Sequence, residues 1–112
     1  MCIFCKIANK EIPTKVVLED ADWIAFHDTN PQAPTHVLVI PKQHVVGLRE
    51  ASPEDEALLG KLMLATQRVA EATGIRDSGY RTVINSGPNA GQTVFHLHVH
   101  VIGGRPMAWP PG

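Results

Sequence analysis

Three histidines, each followed by an apolar residue, constrain this chain most. They are His96, His98 and His100, two positions apart within residues 94–103. Since side chains alternate between the faces of a β-strand, the pattern predicts a strand with the imidazoles on one face, roughly 6.5–7 Å apart. The opposite face would carry Phe95, Leu97, Val99 and Val101. Buried imidazole nitrogens need hydrogen-bonding partners, so a face of three histidines indicates a chemical role rather than a hydrophobic core.

Two kinds of chemistry suit such a face, and the spacing alone leaves both open. A neutral imidazole can attack phosphorus while neighbouring imidazoles stabilise the charge that develops on the phosphoryl oxygens. The preceding Gly91-Gln92-Thr93 would then form an anion-binding loop, because glycine lets backbone N–H groups approach a phosphate closely. Alternatively, a His-x-His pair on a strand presents two ligands to a metal ion.

The composition predicts a cytoplasmic globular protein. A chain of 112 residues suits a single domain over 1–112 that buries a core without disulfides. The formal net charge of −1 gives no electrostatic reason to expect nucleic acid or a membrane surface as a partner. No apolar run reaches the ~18 residues of a membrane-spanning helix, and no secretion signal is readable at the N-terminus.

The apolar periodicity predicts strands, then one long helix, then strands. Strands are expected near residues 15–19, 23–28, 35–41 and 80–86, with a short helix around Ile3, Phe4 and Ile7. Ser52-Pro53-Glu54-Asp55 predicts the start of the long helix, and Gly74 its end. The buried face of that helix would comprise Leu58, Leu59, Leu62, Met63, Thr66, Val69 and Ala70. Short connections favour an antiparallel sheet with helices on one side, an α+β fold.

Several stretches of the chain resemble one protein family. His96-Leu97-His98-Val99-His100-Val101-Ile102 resembles the His-φ-His-φ-His-φ-φ signature of the histidine triad (HIT) superfamily, in which φ is an apolar residue. Further stretches resemble its HINT branch, the histidine triad nucleotide-binding proteins: Glu11-Ile12-Pro13, Ala25-Phe26-His27-Asp28, Asn30-Pro31-Gln32-Ala33-Pro34-Thr35-His36, Ile40-Pro41-Lys42, Gly103-Gly104-Arg105 and Trp109-Pro110-Pro111-Gly112. The likeness runs through essentially the whole chain.

This resemblance implies both a fold and an activity. The fold would be HIT-like, with a five-stranded antiparallel sheet, one long and one short helix, and a homodimer whose two sheets join. The activity would be that of a purine nucleoside phosphoramidase, which binds purine nucleoside monophosphates and hydrolyses nucleoside phosphoramidates. No catalytic cofactor would be required.

The resemblance also implies catalytic roles for the histidines. His98 is the implied nucleophile and would form a nucleotidyl-histidine intermediate that water resolves. His100 and His96 would contact the α-phosphoryl group or support the nucleophile, and His36 would join their network. Thr93 stands where many relatives have serine, and its hydroxyl would protonate the leaving group.

The implied nucleotide-binding residues surround this histidine group. Asp28 matches the carboxylate that binds both ribose hydroxyls, which is a role suited to a bidentate acceptor. The phosphate side would be formed by Asn85, Gly91, Gln92 and Thr93, and the base pocket by Ile3, Phe4, Ile7 and Phe26. His27 and Trp109 complete the set, and the family counterpart of Trp109 lies near the partner's active site.

Cys2 and Cys5 form a second motif. Their spacing alone favours a metal half-site or a redox pair in a reducing compartment. Some bacterial HIT relatives bind zinc with such a pair and two histidines, which correspond here to His44 and His96. Two sulfurs and two nitrogens suit tetrahedral Zn²⁺. The zinc would be structural, and His96 could not then contact the substrate as well.

Three other functions remain open from the sequence. One is a purine nucleotide-sensing or partner-binding module whose hydrolysis is incidental. Another is a metal-dependent hydrolase with His96 and His98 as ligands. Within the superfamily, the nearest alternative is a dinucleoside polyphosphate hydrolase, although the ending Trp109-Pro110-Pro111-Gly112 favours the HINT branch.

Overall fold

The fold is a five-stranded antiparallel sheet with one long and one short helix, in the strand order β1-β2-β3-β5-β4. The structure is a computed structural model and describes residues 2–112. Its elements in chain order are α1 (Ile3–Ala8), β1 (Val16–Glu19), β2 (Trp23–His27), β3 (Thr35–Pro41), α2 (Glu56–Thr73), β4 (Tyr80–Val83) and β5 (Val99–Gly103). The α+β class, the sheet and both helices are therefore confirmed.

The central strand β3 separates two hydrophobic clusters. Val37 and Val39 pack into the cluster beneath α2, whereas Leu38 and Ile40 pack into the cluster beneath α1. Because successive side chains of a strand point to opposite faces, a strand covered by a helix on each side must be apolar at every position. This explains the continuous apolar run at 37–40.

The long helix begins and ends as the sequence predicts. The Asp55 carboxylate accepts a hydrogen bond from the Ser52 N–H at 3.0 Å, and a short 3₁₀ turn over Pro53–Asp55 precedes α2. Gly74 follows the helix with a left-handed φ of 77°, which glycine adopts without strain. Met63 is 42% exposed, so its predicted place on the buried face was wrong. Within residues 2–112, no helix combines the length and the apolarity needed to span a membrane.

The histidine segment departs from the predicted strand. Strand β5 begins only at Val99, so His96 and His98 precede it in a bent segment. The β3–β5 ladder stops at the Val39–Val99 pair, and farther along β3 the carbonyl of Pro41 accepts a side-chain hydrogen bond from His96 Nε2 at 2.8 Å. The ladder therefore does not extend through His96, and this segment lacks the regular pleat.

The bend changes which side chains are buried and how closely the histidines approach. Leu97, Val99 and Val101 are buried beneath α2 as predicted, but Phe95 is 55% exposed, so its predicted core position was wrong. The ring centroids of His98 and His100 lie 5.1 Å apart, closer than an extended strand predicts. Strand β4 likewise ends at Val83, three residues earlier than expected.

Candidate functional site

The sheet brings His36 and His100 together across two neighbouring strands. His36 of β3 is paired with Ile102 of β5, so His100 is its diagonal neighbour. Diagonal side chains of antiparallel strands are within reach of each other. His36 Nε2 lies 2.8 Å from His100 Nδ1 and 3.4 Å from Asp28 Oδ2. Asp28 follows β2 directly, and its other carboxylate oxygen accepts the Asn30 N–H at 2.8 Å.

A backbone amide determines where these imidazoles carry their protons. The N–H of Gln32 donates to His36 Nδ1 at 3.0 Å. Neutral His36 must therefore carry its proton on Nε2, from which it donates to His100 Nδ1. His100 in turn carries its proton on Nε2.

The Nε2 atom of His100 has no hydrogen-bonding partner. Among the described residues it is a buried polar atom left without one. Burial, with the nearby His98 and His36 adding to the effect, lowers the pKa of His100 to about 4, and burial also lowers the pKa of His36 against the attraction of Asp28. Both rings are therefore neutral at pH 7. A buried N–H without an acceptor is costly, so it marks a place where a ligand atom can bind.

His98 is oriented by its own main chain. Its Nδ1 lies 2.8 Å from the carbonyl oxygen of His96, which can only accept, so Nδ1 carries the proton. The lone pair of Nε2 is then free. The ring is half-buried and packs edge-on against Phe4 and His100, with 5.1 Å between ring centroids in each case. A neutral imidazole held in this way is a nucleophile in a fixed orientation.

Three of the four residues predicted for the base pocket are buried close to this ring, and the fourth is exposed. Phe4, Ile7 and Phe26 are buried, and the Phe4 and Phe26 rings meet edge to face with centroids 5.7 Å apart. Ile3 is 52% exposed at the outer side of α1. A cleft of ≈ 660 Å³ opens next to Asp28 and His36, and its lining also includes Pro13, Thr14, Lys15, His27, Thr29, Pro31 and Pro34.

The predicted phosphate-side residues lie on the loop between β4 and β5. Gln92 is buried there, and its amide accepts the Gly87 N–H at 2.9 Å and donates to the carbonyls of Val46 and Val94. Its side chain therefore braces the loop. Gly91 adopts a φ of 77°, which favours glycine. The half-buried Asn85 lies near the start of this loop, and the exposed Thr93 directly follows Gln92.

Trp109 is a highly exposed member of the predicted nucleotide contacts. Its side chain is 81% exposed, and the Arg81 guanidinium lies 5.9 Å from the centre of its ring. The chain itself therefore does not bury this indole. Its placement near a partner's active site stays a prediction.

Cys2, Cys5, His44 and His96 converge on one point. His96 Nδ1 lies 3.4 Å and 3.5 Å from the two sulfurs and 3.1 Å from His44 Nδ1. His44 Nδ1 is 3.6 Å from the Cys2 sulfur and 3.2 Å from the Cys5 sulfur. Zinc bonds of about 2.0–2.3 Å at tetrahedral angles place ligand atoms about 3.3–3.8 Å apart. Three of the five distances lie in this range and the other two lie just below it, so the cluster is compatible with a zinc ion.

The surroundings of His96 also suit a metal ligand. Its ring is fully buried, and Nε2 donates to the Pro41 carbonyl at 2.8 Å. That bond leaves the Nδ1 lone pair directed at the cysteines, as metal-binding histidines commonly require. Neither ring nitrogen of His96 therefore points toward His98. This side chain could contact a substrate only if one nitrogen gave up its present partner.

A second group of potential ligands, Asp28, His36 and His100, does not suit a metal. The Gln32 N–H occupies His36 Nδ1 and requires a proton on Nε2, so the nitrogen nearest the other two groups has no lone pair to offer. His98 belongs to neither group of potential ligands found among residues 2–112. The predicted alternative of a hydrolytic metal on His96 and His98 therefore has no support in this geometry.

Comparisons with known proteins identify the family. The model of the HIT domain matches residues 9–107. An uncharacterized HIT-like protein of Synechococcus elongatus is 56% identical over 110 residues, which cover 98% of this chain and 96% of that protein. A 14 kDa zinc-binding protein of maize (Zea mays) is 52% identical over 112 residues, 98% of this chain and 87% of the relative. The chain therefore belongs to the HIT family.

A solved structure supports the same assignment at the level of the fold. The crystal structure of a HIT family hydrolase from Legionella pneumophila superposes with a TM-score of 0.97 at 46% sequence identity, covering 100% of both chains. The order of strands and the positions of the helices described above are therefore those of the HIT fold.

Some groups that shape this site could not be found from side-chain patterns. The Gln32 N–H, the Pro41 carbonyl and the His96 carbonyl each set the orientation or the proton position of an imidazole. All three are main-chain groups, which every residue except proline, with its missing N–H, supplies equally. No sequence signal therefore distinguishes them.

The burial of His100 leads to a prediction on stability. An imidazole with a pKa of about 4 in the folded state, against 6.5 when exposed, stabilises the fold fully above pH 6.5 and loses this contribution as the pH falls toward 4. Between pH 7.5 and pH 4.5, the free energy of unfolding of the wild type should fall by about 2–3 kcal/mol more than that of His100→Gln. Urea unfolding at both pH values measures this difference. Equal losses of unfolding free energy in the two proteins would contradict this prediction. Any release of metal at low pH would affect both proteins alike and therefore cancels in the comparison.

Proposed function

We propose that this protein hydrolyses purine nucleoside phosphoramidates through a covalent nucleotidyl-His98 intermediate, as a member of the HINT branch. One observation carries the proposal. His98 has its Nδ1–H on the His96 carbonyl, which leaves Nε2 as a nucleophile beside the unpartnered N–H of His100. A nucleophile next to an unsatisfied donor suits attack on a phosphoryl group, because the donor stabilises the charge that develops on oxygen.

The reaction would proceed in two displacements. In the first, His98 Nε2 forms a bond to the α-phosphorus, the P–N bond breaks, and the amine leaves with a proton supplied by the Thr93 hydroxyl or by water. In the second, water attacks the same phosphorus and gives up a proton that replaces the one passed to the amine, the bond to His98 breaks, and the nucleoside monophosphate is released. The His100 Nε2–H would donate to a phosphoryl oxygen in both steps, and neutrality at pH 7 keeps its donor and acceptor positions fixed.

Binding of the nucleotide would use the cleft beside the histidines. The half-buried Asp28 carboxylate would accept hydrogen bonds from the ribose hydroxyls, and Phe4, Ile7 and Phe26 would hold the purine. Ile3, His27 and the loop with Asn85, Gly91, Gln92 and Thr93 would complete the site. Gln92 would act through the position of its loop, since its amide is already hydrogen-bonded within the chain.

The working form would be a homodimer in which residues 1–112 act as one domain. Strand β4 lies at an edge of the sheet, so one side of its backbone is available for pairing. Leu48 and Met63, each 42% exposed, border an apolar groove of ≈ 200 Å³ that also includes Ile84. A second copy that joins the two sheets at β4 would cover these side chains. Trp109 would then approach the partner's site.

Zinc would be a structural component of this enzyme. Cys2, Cys5, His44 and His96 would bind it, and the metal would supply cross-linking of α1 to the histidine segment rather than a reacting group. The distances between these ligand atoms and the zinc-binding maize relative support this assignment. Burial and the neighbouring Cys2 raise the pKa of the Cys5 thiol, a cost that a bound cation would offset.

Trapping the intermediate tests the proposed function directly. The protein mixed with an adenosine phosphoramidate and quenched in base within the first turnover should carry one nucleotidyl group, because a phosphoramidate bond to histidine survives alkali. Peptide mapping by mass spectrometry should place this group on His98. A label on another residue, or product formation with no labelled protein at any time, would contradict the covalent mechanism.

A further inference from the structure

An exposed arginine of the C-terminal tail is connected to the histidine group by hydrogen bonds. Arg105 lies two residues beyond β5, and its Nε and Nη2 atoms donate to the Gln32 carbonyl at 3.2 Å and 3.0 Å. A third nitrogen, Nη1, donates to the Pro106 carbonyl at 3.2 Å, which fixes the guanidinium from the opposite side. A guanidinium held by three hydrogen bonds is a rigid contact.

The tail and the loop before β3 approach each other closely at this point. Gly104 has a φ of 91°, and a Cβ atom at this position would lie 2.9 Å from Cβ of Pro34. Arg105 therefore reaches Gln32 because its neighbour is a glycine with an unusual backbone conformation. The contact holds the loop of residues 29–34 against the end of the sheet.

Gln32, which Arg105 binds, also determines which nitrogen of His36 carries the proton. Gln32 accepts from Arg105 with its carbonyl and donates its own N–H to His36 Nδ1. His36 Nε2–H then donates to His100 Nδ1 at 2.8 Å. A continuous series of four residues thus leads from the protein surface to the unpartnered N–H of His100.

We infer that Arg105 is a positioning residue that keeps His36 and His100 as Nε2–H tautomers, and this inference rests on the proposed function. Without Arg105 the Gln32 N–H would not be held at His36 Nδ1, and His36 could carry its proton on Nδ1. The Nε2 lone pair of His36 would then face His100 Nδ1, which would take up the proton. His100 Nε2 would become an acceptor and would repel a phosphoryl oxygen instead of stabilising it.

The test compares tautomers and kinetics in the full chain with its metal bound. The variants are Arg105→Met, which removes all three donors, and Arg105→Lys, which keeps the charge but not the planar fork. Arg76→Met is the matched control, because the single ion pair of Arg76 among residues 2–112 is with Glu71, at 3.8 Å, and both side chains are more than half exposed. Long-range ¹⁵N–¹H NMR correlations report which nitrogen of each imidazole is protonated, and steady-state assays with an adenosine phosphoramidate give kcat and KM.

The wild type should show His36 and His100 as Nε2–H tautomers. In Arg105→Met the Nε2–H population of His100 should fall by about half or more, and kcat should fall about 10- to 100-fold with KM changed less than about threefold. The Nε2–H population of His100 and the kcat of Arg105→Lys should lie between those of the wild type and Arg105→Met. Both quantities in Arg76→Met should match the wild type. The loss of kcat should follow the loss of the Nε2–H tautomer across the series.

Several results would overturn the inference. They are a wild-type His36 with its proton on Nδ1, unchanged tautomers in both Arg105 variants, and a fall in kcat without a change of tautomer, which would indicate a structural role only. If Arg105→Met does not fold, the wild-type spectrum and Arg105→Lys still decide. If the wild type hydrolyses no phosphoramidate, the proposed function fails, whereas the tautomer measurements still test the role of Arg105.

Discussion

His98→Gly should lose at least about 10⁴-fold in kcat for an adenosine phosphoramidate, because removal of a covalent nucleophile leaves only binding and charge stabilisation by the remaining groups. Nucleotide affinity should change little, since the proposed binding residues Asp28, Phe4 and Phe26 are not altered. Steady-state kinetics and calorimetric titration with a purine monophosphate measure the two effects separately.

Free imidazole provides the control for this substitution. The glycine variant leaves a space of the size of the missing ring, bordered by Phe4 and His100 at ring distances of 5.1 Å in the wild type. Added imidazole should enter that space, act as the nucleophile and restore part of the turnover. Turnover by His98→Gly within about tenfold of the wild type would exclude His98 as the nucleophile. A melting temperature equal to that of the wild type confirms that the variant is folded.

Removal of the proposed zinc ion should have the largest effect on stability. A ligand that binds only the folded state, at about 100 times its dissociation constant or more, stabilises it by about 3 kcal/mol or more. For a chain of this size that corresponds to a fall in melting temperature of about 10–20 °C after chelation. Elemental analysis of the purified protein should find one zinc ion for each chain, and differential scanning calorimetry before and after chelation measures the fall.

The Cys2→Ser substitution distinguishes the loss of a metal ligand from the loss of the helix N-cap. The Cys2 sulfur accepts the Cys5 N–H at 3.2 Å as the N-cap of α1, and serine is a favoured N-cap that cannot replace a thiolate ligand. Cys2→Ser should therefore retain the cap, lose zinc and melt close to the chelated wild type. A chelated wild type that melts at the original temperature, or a Cys2→Ser variant that keeps its zinc, would contradict a structural metal at these four residues.

The elements of the fold were predictable where local chemistry and periodicity agree. Ser52 and Gly74 bound the long helix because a capping turn and a left-handed glycine act within a few residues. Strand β3 was predictable from its continuous apolar run, which arises because helices cover both of its faces. In these cases the information lies in neighbouring residues.

The errors lie where distant contacts override the local pattern. Phe95 alternates correctly for a strand, yet the hydrogen bond between His96 and Pro41 keeps this segment out of the sheet and leaves Phe95 exposed. Met63 has helical spacing for the core but faces an exposed apolar groove. Neither effect could be found without the positions of residues far apart in the chain.

The candidate site was predictable only in part, for a related reason. The spacing of Cys2 and Cys5 indicated a metal half-site, the resemblance supplied His44 and His96, and the structure adds their convergence. The direction of each proton, in contrast, depends on the main chain at Gln32 and His96 and on distances of about 3 Å. Tautomers of this kind follow from coordinates rather than from residue types.

The side chain and the main chain of His96 have two chemically independent roles. The imidazole ring belongs to the cysteine cluster, whereas the carbonyl of the same residue orients His98. A peptide oxygen is present whatever side chain the residue bears, so an exchange such as His96→Asn removes a ligand but not that acceptor. Relatives of this protein can therefore lose the proposed zinc site, and with it stability, while the main chain at this position still orients the proposed nucleophile.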